Sequence, residues 1–62
     1  MLEVTVRSAS GQTQVQLNNY TELNTQSAKA AAEIAYGVAA NATVSDGEST
    51  YLVTKSGVKQ VS

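Results

Sequence analysis

The chain has 62 residues and a net charge of −1 from four Lys/Arg and five Asp/Glu, with no His, Cys, Pro, Trp or Phe. That inventory argues against a disulfide or zinc staple, against imidazole or thiolate chemistry near neutral pH, and against the basic footprint that nucleic-acid binding leaves. A chain this short buries only roughly 60% of the surface its unfolded form exposes.

The core material is thin, with Tyr20, Tyr36 and Tyr51 as the only aromatic side chains. Small scaffolds commonly need a staple or a partner, so partner-bound or homo-oligomeric states are expected. No apolar run approaches the ~20 residues of a membrane-spanning helix, and the start Met1-Leu2-Glu3-Val4 lacks the pattern of a signal peptide. The expectation is a cytoplasmic protein with no membrane contact and one small domain over residues 1–62.

Residues 2–8 alternate, with Leu2, Val4 and Val6 on one side and Glu3, Thr5 and Arg7 on the other, the period of a half-buried strand. Ala9-Ser10-Gly11-Gln12 reads as a turn, with Gly11 the candidate for positive φ. Residues 13–18 alternate again, with Val15 and Leu17 apolar and Gln14, Gln16 and Asn18 polar. The two segments predict a β-hairpin with one apolar face.

Leu23-Asn24-Thr25 follows as a helix entrance, Asn24 or Thr25 supplying the capping oxygen. From Gln26 the alanine-rich run predicts a helix. Ala28, Ala31, Ile34, Ala35 and Val38 fall on one arc, with Lys29, Glu33 and Tyr36 opposite. Gly37 admits two readings, a costly interior residue or a C-terminal stop. Because Val38 continues the apolar stripe, the helix is expected to run to residue 40.

The last third predicts strands near 42–45, 48–54 and 58–61, divided by Asp46-Gly47 and Ser56-Gly57. Read as two-residue turns, these place Ala42 opposite Tyr51, Val44 opposite Ser49, Lys55 opposite Val58 and Leu52 opposite Val61. The expected fold is α+β: a single helix packed on one face of an antiparallel sheet, in the order β-β-α-β-β-β. One helix covers one face, expected to be that of Val4, Val6, Val15, Leu17, Val44, Tyr51, Val53 and Val58. The other face carries Thr43, Thr50, Thr54, Lys59, Gln14 and Gln16 with Leu52 and Val61 among them, and this face, or an unpaired sheet edge beside it, is the expected contact surface.

No enzymatic activity is expected. The carboxylates are scattered, no Ser or Thr sits in a nucleophile elbow, and the four glycines form no phosphate loop. No catalytic or metal-ligating residue and no cofactor is assigned. The candidate protein-binding residues are Arg7, Thr50, Leu52, Thr54 and Val61 on the uncovered face, with Tyr20 and Tyr36 as interface-type aromatics.

The layout of hairpin, helix and three-strand meander resembles that of many very small phage and mobile-element proteins, some anti-CRISPR and host-takeover inhibitors among them. It is also similar to the hairpin–helix–hairpin order of the immunoglobulin-binding domains of streptococcal protein G, without that family's exposed Trp and charged helix face. The resemblance is one of architecture and transfers no binding residue. It implies a non-catalytic protein–protein interaction module, in its sharper form a small inhibitor that binds a larger host protein complex. The alternative is a self-assembling structural subunit, such as a small virion or scaffold component.

Overall fold

The computed structural model describes residues 1–38 and 41–62. The alternating segments form β1 (Leu2–Ser8), β2 (Gly11–Leu17), β3 (Ala42–Ser45), β4 (Thr50–Thr54) and β5 (Gly57–Gln60), and the alanine-rich run forms α1 (Thr25–Tyr36). The strands make one sheet in the order β2-β1-β3-β4-β5, every neighbouring pair antiparallel. The α+β architecture expected from the sequence is therefore present.

The first hairpin and the C-terminal meander are joined through β1 and β3, with Val6 directly opposite Val44. Both are fully buried, and with Val4 they form the centre of the core. Since β2 and β3 each run antiparallel to β1, they are parallel to each other with β1 between them. Helix α1 is the crossover that carries the chain from the outer strand to the middle of the sheet. It packs against all five strands.

The helix side of the core is mostly alanine. Ala28, Ala31 and Ala32 are buried against Leu2, Val4, Val6, Val15, Leu17, Val44 and Val53. Short side chains let the helix axis approach the valines closely, which a small core needs to exclude water. Asn24 is the N-cap: its Oδ1 accepts from the N–H groups of Gln26 at 2.9 Å and Ser27 at 3.0 Å. Ser27 closes a capping box, its Oγ accepting from the Asn24 N–H at 2.7 Å.

The helix stops earlier than the stripe suggests. Gly37 adopts φ 98° and ψ 172° as the C-cap, a conformation essentially reserved for glycine. It turns the chain away before Val38, which is 83% exposed. The last two residues of the expected helix, Ala39 and Ala40, lie outside the described residues.

The buried face is also rotated from the expected arc. It centres on Ser27, Ala28, Ala31 and Ala32, leaving Ile34 on the flank and 66% exposed. Tyr36, expected on the solvent side, is half-buried and packs against the core.

Both C-terminal turns are displaced from the expected positions. The loop between β3 and β4 holds four residues, so Ser45 pairs with Thr50, Val44 with Tyr51 and Ala42 with Val53. Asp46 is the cause: its carboxylate accepts from the N–H groups of Glu48 and Ser49, each at 2.9 Å, which widens the connection. The turn between β4 and β5 is Lys55-Ser56, with Thr54 opposite Gly57. It repeats the chemistry of the first hairpin, where Ser8 is opposite Gly11. In each, the hydroxyl before the turn accepts from the N–H two residues on, Ser8 from Ser10 at 3.0 Å and Thr54 from Ser56 at 3.2 Å. A glycine at φ 137° or 136° opens the next strand.

Candidate interaction surface

The sheet face turned away from α1 is built from alternate residues of all five strands. Direct pairings define a row across it, Gln12–Arg7–Thr43–Leu52–Lys59. A second row runs Gln14–Thr5–Ser45–Thr50 and continues to Val61, whose N–H donates to the Thr50 carbonyl at 2.9 Å. Leu52 therefore faces Lys59 and not Val61. Val61 is 49% exposed and lies diagonal to Leu52, past the end of β5.

Leu52 is half-buried, fourth of the five residues in the first row, with exposed Lys59 beside it on β5 and exposed Arg7 on its other side beyond Thr43. Two shallow depressions flank it. One, of about 320 Å³, includes Arg7, Asn41, Thr43 and Leu52; the other, of about 380 Å³, includes Leu52, Thr54, Ser56 and Lys59. Glu3, the acidic residue of this face, sits at the far end of β1, where its Oε2 accepts from Gln16 Nε2 at 3.1 Å. The face thus carries Thr43 and Leu52 between the cations Arg7 and Lys59, with Glu3 at one end of β1 and Thr, Ser and Gln over most of the remainder.

The structure brings Arg7, Thr50, Leu52 and Val61 together on this face. Thr54 shares it, but its hydroxyl is engaged in the β4–β5 turn, donating to the Gly57 carbonyl at 3.3 Å. Tyr20 and Tyr36 do not join them: both are half-buried and pack on the core from the helix side.

Two further features carry weight. Lys59 is the direct neighbour of Leu52. The outer edge of β2 is a sheet edge beside which Ile34 stands exposed. Shallow grooves run along that edge, bounded by residues of β2 on one side and by Ile34, Ala35 and Tyr36, or Ala30 and Ile34, on the other.

Asp46 lies outside these surfaces. The N–H groups of Ser49 and then Glu48 hold its carboxyl below the usual carboxylate range, which is loop chemistry. Among the described residues no group of three potential metal ligands converges, and no helix is long and apolar enough to cross a membrane. No family model, curated protein or solved structure matches the chain.

Proposed function

We propose that the chain is a non-catalytic protein-binding module whose contact surface is the open face of the sheet. The supporting observation is the row Arg7–Thr43–Leu52–Lys59, in which Leu52 and Thr43 lie between two cations on a five-stranded sheet. Interfaces commonly have an apolar centre and a polar rim, with Arg enriched and dense Lys/Glu coverage depleted. The surrounding Thr, Ser and Gln side chains are uncharged, so covering them carries no ionic desolvation penalty.

The chemistry favours a partner that offers an apolar group to Leu52 and carboxylates to Arg7 and Lys59. In its sharper form the module is a small inhibitor, of the phage or mobile-element kind, occupying the surface of a larger complex. The support for that form is size and architecture alone.

The test is capture of partners from the native lysate by the wild type, by Leu52→Asp and by Lys29→Glu, a control on the exposed side of α1. Captured protein that disappears with Leu52→Asp and persists with Lys29→Glu, both variants folded by circular dichroism, is the expected result. Capture indifferent to Leu52→Asp contradicts the proposal.

A further inference from the structure

We infer that the outer edge of β2 pairs with β2 of a second copy of this chain. The pairing would form a two-fold dimer with one continuous ten-stranded sheet. This inference goes beyond the protein-binding reading and rests on the β2 edge and Ile34 in place of Arg7, Leu52 and Lys59, and it leaves the open face uncovered.

An edge strand presents a row of unpaired N–H and C=O groups, and natural proteins guard it with charge, proline, a bulge or short length. The β5 edge is guarded: it is four residues long and carries Lys59, with Lys55 in the turn before it. The β2 edge has none of these devices. Gly11-Gln12-Thr13-Gln14-Val15-Gln16-Leu17 contains no ionisable group and no proline. Its register with β1 runs uninterrupted through seven pairs.

The helix side of this edge is unfinished in a matching way. Thr13 is opposite buried Val6 and so points to the helix face, yet it is exposed because α1 does not reach over it. Beside this opening lie exposed Ile34 and half-buried Ala35 and Tyr36, which bound a groove along residues 10–16. A strand added outside β2 would complete its hydrogen bonding and cover Thr13 and Ile34 together.

Charge and symmetry favour a second copy as the occupant. In an antiparallel pair about a two-fold axis, a strand meets its own sequence reversed. Centred on Gln14, the midpoint of β2, the pairing sets Gln14 against Gln14, Gln12 against Gln16, and Thr13 against Val15. No like charges meet, and the glutamine amides, each both donor and acceptor, can bond to one another across the axis. Directly opposed residues share a face, so both helices fall on one side with their Ile34 side chains toward the axis. The two open faces become one surface with two Arg7–Leu52–Lys59 rows, which gives a bivalent partner an avidity advantage. One strand and a few helix residues make a contact smaller than the standard interface of about 800 Å² per partner. The dimer is therefore expected in the micromolar range, about 1–100 μM.

Sedimentation equilibrium of the full chain over roughly 1 μM to 1 mM spans that range. The wild type is expected to pass from 6.5 kDa to twice that mass. Gln14→Lys and Gln14→Glu each place like charges in direct cross-strand opposition, which is destabilising, and each should weaken the dimer by about tenfold or more. Mixing the two should restore it. Ile34→Lys, off the sheet, should weaken it as well. Monomer throughout the range overturns the inference. So does association that neither Gln14 substitution weakens, or a mixture that fails to recover. Loss of the dimer removes the avidity gain but leaves Leu52 in place, so failure of the Leu52 reading is read separately, from capture by the Leu52→Asp variant.

Discussion

Replacing Ser27 with alanine tests how the helix is anchored. Ser27 is fully buried on a face otherwise made of alanine. Its hydroxyl oxygen accepts from the Asn24 N–H at 2.7 Å, and its proton goes to the Glu22 carbonyl at 2.9 Å. Ser27→Ala removes both bonds at a partly buried corner, and stranded polar groups cost about 1–3 kcal/mol. Two effects oppose the loss. Alanine is the better helix former by under about 0.7 kcal/mol, and its methyl suits the apolar surroundings.

The bonds outweigh these gains, leaving a net loss of about 1–2 kcal/mol. A domain of this length has a total stability of roughly 3–9 kcal/mol, so the fraction lost is large. At about 4–8 °C per kcal/mol, Tm should fall by roughly 4–16 °C in a thermal melt followed by circular dichroism. Asn24→Ala should cost about 1 kcal/mol, and the double variant less than the sum, because the two side chains form one box. A Ser27→Ala protein that melts at or above the wild-type temperature, or a strictly additive double variant, refutes this reasoning.

Gly37→Ala should destabilise by about 1–3 kcal/mol through backbone conformation alone, since φ is 98° and nothing lies within 4 Å of the added Cβ. A lower urea midpoint with an unchanged slope reports it, and an unchanged midpoint contradicts it. Asp46 has its folded pKa lowered by the N–H groups of Ser49 and Glu48. The sign follows from linkage: its contribution is present above the unfolded carboxylate value and fades as pH falls through the lowered folded one. The wild type should therefore lose stability in acid below about pH 4, and Asp46→Asn should lose less over the same interval. The effect is small because the group is exposed; identical acid profiles in chemical denaturation would exclude it.

The face assignments were legible in the sequence because strand periodicity is two. Each C-terminal turn is shifted, Val44 meeting Tyr51 instead of Ser49 and Leu52 meeting Lys59 instead of Val61. Both shifts are by two residues, so every side chain keeps its face. Alternation alone therefore placed Arg7, Leu52 and Val61 on the open side. It could not name the neighbour of Leu52, because the Asp46 carboxylate and the Thr54 hydroxyl decide where the turns fall.

The helix end was hidden because periodicity carries on through Val38, whereas the backbone of Gly37 does not. Ile34 was misplaced because which face of an alanine-rich helix is buried depends on how it crosses the sheet. The bare β2 edge follows from the β1–β3 pairing, a contact between distant segments that no local pattern announces.

The most direct test of the binding role is a photoreactive amino acid placed at Leu52 and, in a separate protein, at Lys29, followed by irradiation in the native lysate and mass spectrometry of the adducts. The expected result is a covalent adduct between position 52 and a heterologous protein, with an acidic segment at the point of attachment, and no equivalent from position 29. Adducts from position 29 alone, or none from position 52, would contradict it.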